Sequence, residues 1–475
     1  MPRPPDLKTL GELKAAVGNG SWLEAPDAVA PFLTDFRGLY HGATPLVLLP
    51  RDVDQVAQIL RICNRDDVAV VPHGGNTSYC GGATPDEAGS QIVLSLRRLN
   101  RIRHIDAANY SMIVEAGCTL AEAQAAAREA DRLFPLSLGS EGTAQIGGNL
   151  STNAGGTAVL RYGMMRDLVL GLEVVLADGR VLEGLKSLRK DNTGYDVKSL
   201  FVGAEGTLGV ITAASLKLFP QPADTATALV GIDSPPHALD LLARLRAAAG
   251  DQVTSFELMP RLAVQLTVKH VPGVADPLDQ NAPWYLLIEL SSPNPRQDLG
   301  TLLTATLEDA AAGTIVDAMF ATSMAQAQAM WKLRESVPEA QRRHGASLKH
   351  DVSVPVSALP ALITEGSALV RRLAPEGDVV SYGHAGDGNL HFNVSQKPGT
   401  DLERFMARGP ALELAMFDLV ESLGGSISAE HGIGRLKAAE FARRADPVEL
   451  AVMHELKRAL DPKGIMNPGK VLCVR

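Results

Sequence analysis

Short apolar runs and amphipathic segments alternate along the chain and predict a mixed α and β fold. Residues 46–49 and 68–71 are apolar, residues 284–290 are apolar except for Glu289, and all three runs are bounded by proline or polar residues, as strands usually are. Between the first two runs, residues 53–60 repeat apolar side chains at helical spacing behind Asp52, a residue type that caps helix N-termini. The pattern therefore predicts interleaved strands and helices.

A Gly-Asp-Gly-Asn run at 386–389 predicts a tight turn between two strands. His384 precedes this turn and His391 follows it, so the turn would bring the two imidazoles together. Residues 390–394 alternate apolar and polar side chains, which puts His391 and Asn393 on one face and the apolar residues on the other. The predicted hairpin therefore offers two histidines as candidate metal ligands.

A third metal ligand is offered by Glu430, which precedes His431 in the segment 426–434. This segment predicts a short strand that stops at Gly432. Imidazole suits first-row divalent metals, and two histidines with one carboxylate leave coordination positions open for a substrate. The alternative is a pair of unrelated surface histidines in a glycine-rich turn, and the spacing alone leaves both interpretations open.

Three glycine-rich segments, 72–82, 137–163 and 203–209, predict a binding site made by the backbone. Glycine costs up to about 1 kcal/mol in regular structure, so such density is best explained by close approach of the main chain to a flat or phosphorylated ligand. In the first segment the N–H groups of Gly74 and Gly75 are placed to surround a pyrophosphate. An ordinary turn is the alternative for this segment taken alone.

The glycine-rich pattern ends near 219–222, where alanine- and leucine-rich helical segments begin to alternate with strands, and this predicts a domain boundary. Residues 168–176 and 180–183 flank an Ala-Asp-Gly turn and predict a hairpin, while 449–460 predict an amphipathic helix. No G-x-G-x-x-G sequence opens a βαβ unit, which argues against a nicotinamide-binding Rossmann domain.

Composition narrows the class of protein. The 475 residues carry a net charge of −9, which argues against nucleic acid and anionic membranes as partners. The four cysteines form no C-x-x-C pair, so neither a structural zinc site nor a disulfide framework is indicated. Because no apolar run reaches the length of a membrane helix or a secretory signal, we expect no transmembrane segment and a cytoplasmic location.

Six segments together resemble the vanillyl-alcohol-oxidase-type (PCMH) flavoproteins, and more closely their branch of FAD-linked D-2-hydroxyacid dehydrogenases, which includes D-2-hydroxyglutarate and D-lactate dehydrogenases. These segments, in the order of the family, are 72–82, 135–163, 203–209, 383–393, 429–434 and 467–470. The resemblance implies an α+β fold, in which a PCMH-type FAD-binding domain of two α+β subdomains precedes a cap domain with an antiparallel sheet flanked by helices. The implied boundaries are 1–222 for the FAD-binding domain, 223–422 for the substrate (cap) domain and 423–475 for a C-terminal helical segment that completes the active site.

The resemblance also implies roles for individual residues. The implied metal ligands are His384, His391 and Glu430, and the implied metal is zinc, with manganese or iron as alternatives. The general base is His431, Asn393 contacts the substrate, and Arg334 and Lys349 hold its second carboxylate. The residues implied to bind FAD are Pro72, His73, Gly74, Gly75, Asn76, Thr77, Ser78, Gly81, Gly82, Ser140, Gly142, Gly147, Gly148, Ser151, Asn153, Gly155, Gly156, Arg161, Tyr162, Gly163, Glu205, Gly206, Gly209, Ile211 and Asn467.

Two departures from the family pattern refine these expectations. Members with covalent flavin often carry histidine directly after the loop glycines, where this chain has Asn76, so we expect non-covalent FAD. Hydroxyglutarate-type members have threonine four residues after the arginine, where this chain has Pro338, which weakens the case for a dicarboxylate substrate. A D-2-hydroxyglutarate-like substrate is favoured, and D-lactate is the alternative.

The implied reaction is oxidation of a D-2-hydroxyacid to the 2-oxo acid, with the hydride passing to FAD. The expected partners are the small-molecule hydroxyacid and an unidentified electron acceptor, for which an electron-transfer flavoprotein and a quinone are candidates, and a homodimer is the candidate assembly. The rival functions are a metal-dependent hydrolase, in which the FAD loops would be idle, and a non-catalytic flavin-binding subunit of a redox complex.

Overall fold

The structure, a computed structural model, describes residues 2–310 and 313–473. Two compact units account for the chain. The first unit comprises Met1–Gly156, Gly163–Gln221 and Glu430–Arg475, and the second comprises Thr157–Tyr162 and Pro222–Ala429. The three-part division expected from the sequence stays a prediction.

The strands of the first unit form three sheets. They are β1 (Trp22–Leu23), β2 (Val47–Leu48), β3 (Ala69–His73), β4 (Gln91–Ser95), β5 (Ile102–Asp106), β6 (Ser111–Glu115), β7 (Arg132–Leu133), β8 (Val169–Val175), β9 (Val181–Gly184), β10 (Val210–Lys217) and β11 (Phe219–Pro220). One sheet has the order β1-β2-β4-β3, the second has the order β5-β6-β10-β8-β9, and β7 pairs with β11. The pair β3–β4 is parallel, whereas the second sheet is antiparallel throughout.

The first unit also contains α-helices, which connect its strands and form part of its C-terminal segment. They are α1 (Leu7–Val17), α2 (Pro26–Val29), α3 (Val53–Arg65), α4 (Leu120–Glu129), α5 (Ile146–Ser151), α7 (Met165–Leu168), α16 (Ala438–Arg444) and α17 (Pro447–Leu460). As predicted, Asp52 caps α3 by accepting a hydrogen bond from the N–H of Gln55 at 2.9 Å. The residues Ile465 and Met466 of the C-terminal segment are fully buried in the same core as α3 and β3, and Val70 forms a parallel bridge with Met466.

The strands of the second unit form one extended, largely antiparallel sheet. They are β12 (Asp224–Ile232), β13 (Val253–Pro260), β14 (Trp284–Ser292), β15 (Ile315–Phe320), β16 (Ser347–Leu348), β17 (Asp351–Ser353), β18 (Gly377–His384) and β19 (Asn389–Gln396). Their order is β15-β12-β14-β13-β18-β19-β16, and β17 also pairs with β19. The predicted hairpin at 386–389 is therefore present as β18–β19, with Tyr382 opposite His391.

Helices cover both faces of this sheet. They are α6 (Val159–Tyr162), α8 (Pro235–Ala249), α9 (Arg261–His270), α10 (Leu299–Ala310), α11 (Met324–Glu335), α12 (Val337–His344), α13 (Leu359–Leu373), α14 (Leu402–Met406) and α15 (Gly409–Ser422). Leu286 and Ile288 of β14 are buried with α8, α10, α13 and α15, while the alternate residues Tyr285 and Leu287 are buried with α9, α11 and α12. The period-two pattern of β14 thus supplies two cores.

The prediction of a short strand within 426–434 is wrong. Ser426 forms only an isolated bridge with Ser353, and the residues that follow run through bends. The physical reason is pairing, because a strand needs a partner along its length and, among the described residues 426–434, only Ser426 has a bridge partner. Gly432, the expected end of the strand, has a φ of +73°. Glu430 and His431 therefore lie in a loop, and their side chains are not bound to opposite faces of a strand. No described helix is long and apolar enough to span a membrane.

Candidate active site

The first and second glycine-rich segments meet backbone to backbone in the first unit. A side chain at Gly75 would overlap the carbonyl oxygen of Thr143, so only glycine fits there. A Cβ at Gly74 would lie 3.7 Å from the Cα of Gly148, whereas a Cβ at Gly148 would meet nothing within 4 Å. The junction therefore leaves open space beside the main chain at Gly148, which is the type of space a flat or phosphorylated ligand needs.

Several buried polar atoms of the first unit have no hydrogen-bond partner among the described residues. They are both ring nitrogens of His73, Oε1 of Gln145, Nδ2 of Asn149 and Oδ1 of Asn467. Leaving such groups unsatisfied is costly, so a polar ligand fits here. Burial lowers the pKa of His73 to about 4, so its ring is neutral near pH 7 and offers one donor and one acceptor. These residues fit FAD.

Two of these residues were missed in the sequence. Gln145 and Asn149 flank Gly147 and Gly148 at the start of α5, yet only the glycines and the neighbouring serine were assigned to the cofactor. An amide side chain beside a paired glycine was the available signal, because buried amides are found where polar ligands need directional partners.

Glu205 of the third glycine-rich segment has a role that the sequence did not indicate. Its carboxylate accepts hydrogen bonds from the N–H groups of Ile433 at 2.7 Å and Gly434 at 2.9 Å. Burial raises the pKa of Glu205 to about 7 despite these two bonds. Asn467 donates through Nδ2 to the carbonyl oxygens of Gly82 and Glu205, at 2.9 and 2.8 Å. Glu205 thus supports the loop that follows Glu430 and His431.

Glu430 and His431 themselves contact the predicted FAD segments within the first unit. Oε1 of Glu430 accepts a hydrogen bond from the N–H of Gly156 at 3.1 Å. The ring of His431 packs on that of Tyr79, with 4.5 Å between centroids and 36° between planes. His431, the expected base, therefore contacts the first glycine-rich segment, and Glu430, the expected carboxylate ligand, contacts the second.

The other predicted FAD residues divide between the units. Arg161 and Tyr162 belong to the second unit, where the Arg161 guanidinium donates to the carbonyl and hydroxyl oxygens of Ser291. The amide of Asn76 donates to the carbonyl of Thr34 at 2.8 Å. The remaining residues lie in strands β3 and β10, in helix α5 or in the loops of the first unit: Pro72, Thr77, Ser78, Gly81, Ser140, Gly142, Ser151, Asn153, Gly155, Gly163, Gly206, Gly209 and Ile211.

In the second unit the β18–β19 hairpin brings His384 and His391 together, as the sequence predicted. The centroids of their rings are 5.7 Å apart. Nδ1 of His384 lies 2.7 Å from Oε1 of Glu257, and Nδ1 of His391 lies 3.6 Å from Oδ1 of Asp351. Carboxylates beside Nδ1 are typical of metal-ligating histidines, because they fix the tautomer in which Nε2 binds the metal. The donor set therefore fits a divalent metal.

Arg334 is held by the same carboxylate as His384. Its Nε and Nη2 both lie 2.8 Å from Oε2 of Glu257, and its guanidinium lies over the ring of Tyr382 at 4.9 Å from the centroid. Burial would raise the pKa of Glu257, but the charges and hydrogen bonds of His384 and Arg334 outweigh it and lower the pKa to about 2. Glu257 is therefore ionised, and no pattern in the sequence indicates its pairing with His384 and Arg334.

The second unit also contains Asn393 and Lys349, the other two residues expected to contact the substrate, and Pro338, where hydroxyglutarate-type members have threonine. Asn393 of β19 is buried, and its Nδ2 donates to Oε1 of Gln341 at 2.9 Å. Lys349 is half-buried in the connection between β16 and β17. Pro338 lies in the first turn of α12, where a missing backbone N–H costs no helical hydrogen bond. That position explains why proline is tolerated four residues after Arg334.

The glycine-rich loops fit FAD, and the matches to known families place the chain among the flavin-dependent oxidoreductases. Residues 44–184 match the family described as FAD binding domain, and residues 221–471 match FAD linked oxidases, C-terminal domain. The chain belongs to this family of FAD-linked oxidases, and it is an FAD-dependent oxidoreductase. The resemblance, the FAD cofactor and the PCMH-type α+β fold predicted from the sequence are thereby confirmed.

Individual relatives cover nearly the whole chain. The chain is 40% identical to a D-2-hydroxyglutarate dehydrogenase of Bos taurus over 95% of its own length and 81% of the relative. It is 36% identical to a putative D-lactate dehydrogenase of Schizosaccharomyces pombe, over 94% and 85%. The solved structure of p-cresol methylhydroxylase with substrate bound aligns with a TM-score of 0.75 at 18% identity, covering 98% of this chain and 96% of that one, which shows the shared fold.

The cytoplasmic location predicted from the sequence is wrong on this comparison, because both of these relatives are named as mitochondrial proteins. The prediction depended on the absence of an apolar N-terminal run. That absence bears on secretion and membrane insertion, whereas mitochondrial leaders are amphipathic and arginine-rich and contain no such run.

Proposed function

We propose that the protein oxidises a D-2-hydroxyacid to the 2-oxo acid, using non-covalent FAD and a divalent metal. The observation that carries the proposal is the pair His384 and His391 in a chain of the FAD-linked oxidase family: Nδ1 of His384 is within hydrogen-bond distance of Glu257, and Nδ1 of His391 lies 3.6 Å from Asp351. The names of the relatives support the substrate class. A histidine pair arranged for metal binding has no evident use in a protein that only stores flavin.

FAD is proposed to bind in the first unit, at the junction of Gly74, Gly75 and Gly148. His73 and Asn467 offer buried polar atoms to it. Asn76 follows the glycines, and its side-chain amide donates a hydrogen bond to the carbonyl oxygen of Thr34. Because an amide nitrogen is not a nucleophile, this residue supports non-covalent attachment of the flavin. Bound FAD would supply the acceptor for the hydride that leaves the α-carbon.

The metal is proposed to be held by His384, His391 and Glu430, with zinc favoured. Glu430 directly follows Ala429, whose N–H donates to the carbonyl oxygen of Asp351 at 3.4 Å, and Asp351 lies opposite His391 in the β17–β19 pair. Chain connectivity therefore supports Glu430 as the third ligand. A bound divalent metal would supply a Lewis acid that lowers the pKa of the substrate hydroxyl.

His431 is proposed to take the hydroxyl proton at a ring nitrogen. Stacking on Tyr79 restricts the ring to one plane, which orients that nitrogen. Asn393 is proposed to contact the substrate, and its hydrogen bond to Gln341 fixes which way the amide points. Both residues would act on the portion that all 2-hydroxyacids share.

A dicarboxylate substrate such as D-2-hydroxyglutarate is favoured, and D-lactate is the alternative. Because Glu257 already neutralises much of the Arg334 charge, Lys349 is the residue expected to distinguish the two. The electron acceptor, either an electron-transfer flavoprotein or a quinone, and a homodimeric assembly remain part of this proposal.

An anaerobic titration with D-2-hydroxyglutarate, D-malate and D-lactate, read by flavin absorbance, tests the proposal. We expect bleaching by the D-acids, most readily by the dicarboxylates, and none by L-2-hydroxyglutarate as the control. Elemental analysis of the same sample should find about one divalent metal per flavin. If no D-2-hydroxyacid reduces the flavin, the enzyme assignment fails in favour of a non-catalytic flavin subunit. A preference for D-lactate would favour the monocarboxylate alternative.

A further inference from the structure

We propose that Glu257 is a positioning residue that holds the metal ligand His384 and the substrate-facing Arg334 on its two carboxylate oxygens, so that metal retention and recognition of substrate charge depend on one side chain. The inference rests on the proposed function. We call these three residues the Glu257 cluster.

The geometry of the Glu257 cluster leaves little freedom to its members. Oε1 lies 2.7 Å from Nδ1 of His384, and Oε2 lies 2.8 Å from Nε of Arg334. Glu257 is 1% exposed, His384 7% and Arg334 6%. Glu257 of β13 stands directly opposite His384 of β18 in the backbone register. The sheet itself thus brings the carboxylate to the imidazole.

Charge in this buried place explains why a carboxylate is needed. A histidine that binds a metal through Nε2 is neutral and donates its Nδ1 proton, which the Oε1 atom of Glu257 accepts. The remaining charges are then Glu257 and Arg334, one of each sign, and they compensate each other. Loss of the carboxylate charge would leave Arg334 buried without its counter-ion and His384 without the acceptor that fixes its tautomer.

The arrangement has a consequence for substrate recognition. Glu257 occupies the Nε edge of the Arg334 guanidinium, and Tyr382 covers a face of it. The direction in which Arg334 points is therefore set by Glu257. Arg334 can serve substrate binding only as long as Glu257 holds it, so the effects of removing the two residues should not multiply.

The test uses Glu257→Gln in the holoenzyme, with Glu289→Gln as the matched control. Glu289 is a carboxylate on the adjacent strand β14 that accepts instead from Trp331 at 2.7 Å and Thr227 at 3.3 Å. Each variant is challenged with a chelator, and metal and flavin are quantified together. We expect Glu257→Gln to lose about 10- to 100-fold in metal affinity, the range for carboxylates behind metal-bound histidines, at native flavin content. Glu289→Gln should retain metal as the native protein does.

Glu257→Asp is a second variant, for the case that Glu257→Gln does not fold. Aspartate keeps the negative charge, but its side chain is one methylene too short to reach both His384 and Arg334. It should retain metal less well than the native protein and better than Glu257→Gln. Native metal retention in both Glu257 variants would overturn the inference. A native protein without metal, or without flavin reduction by a hydroxyacid, would instead overturn the proposed function, so the two failures are distinguishable.

A double-mutant cycle with Arg334→Met adds an independent measurement. We expect the kcat/KM for a dicarboxylate in the double variant to equal that of the more impaired single variant within about threefold, because the residues act as a unit. Multiplicative losses would show that Arg334 meets the substrate independently of Glu257, which contradicts the coupling.

Discussion

The glycine-rich loops of the first unit and the hairpin of the second unit are built in different ways. In the first unit much of the candidate site is glycine backbone, and no side chain fits at Gly75 beside the Thr143 carbonyl. In the second unit side chains form it, through the buried carboxylate of Glu257 and its contacts with Arg334 and the imidazole of His384. A site made by the backbone is vulnerable to added volume, whereas a site made by side chains is vulnerable to lost charge.

The strongest test of this difference is His384→Ala. It removes a proposed metal ligand but leaves the loops of the first unit unchanged, so metal should be lost and kcat/KM should fall by more than about 100-fold, beyond the range for carboxylates that only support a ligand. Flavin absorbance and metal content are measured on the same sample. Retained metal with full activity would remove His384 from the ligand set.

The converse test is Gly148→Val. A valine side chain would fill the open space beside the Gly148 backbone, and overpacking of this kind costs about 1–3 kcal/mol, so FAD should bind about 10- to 100-fold more weakly. Gly11→Val is the control, since a Cβ at Gly11 of α1 also meets nothing within 4 Å. Stoichiometric flavin in the Gly148 variant, with a native circular dichroism spectrum, would mean that the cofactor lies elsewhere.

Lys349→Ala tests whether one side chain of the second unit distinguishes a dicarboxylate substrate from D-lactate. If Lys349 binds a second carboxylate, kcat/KM should fall about 10- to 100-fold for D-2-hydroxyglutarate and little for D-lactate, which follows from the loss of a charge-assisted hydrogen bond. Lys332→Ala, an exposed lysine on α11, is the control. Equal losses on both substrates would instead place Lys349 at the shared carboxylate or in a structural role.

The smallest expected effect is a pH dependence from Glu205. Burial raises the pKa of Glu205 to about 7 from its ordinary value of 4.5, so between these pH values the folded protein keeps a proton that the unfolded chain has released. Stability should therefore fall as pH rises from about 4.5 to 7. Glu205→Gln cannot titrate, so its melting temperature should depend less on pH than that of the native protein.

The exposed Glu87, replaced by Gln, is the control for Glu205, since it is 73% exposed and should leave the pH dependence as it is. If Glu205→Gln shows the native slope, Glu205 is ionised throughout this range and its two backbone hydrogen bonds dominate over burial.

The sequence predicted those parts of the site that depend on local chemistry. The turn at 386–389 and the cap at Asp52 depend on neighbouring residues only, and both are present. The pairing of Glu257 with His384 spans 127 residues and follows from strand order, which no local pattern contains. The strand expected at 426–434 is absent because strand pairing depends on a partner distant in sequence: Ser426 bridges Ser353, and the described residues 427–434 are in no strand.

The first unit is completed only by the last part of the chain, and this has a consequence for biosynthesis. Val70 of β3 receives its bridge from Met466, and Ile465 is fully buried beside it. Residues 71–464 must therefore be synthesised between the two parts of this core, and the residues of the second unit emerge before Ile465 and Met466 do. The nascent chain thus carries an open apolar core through this interval, a period in which chaperones and truncation matter most.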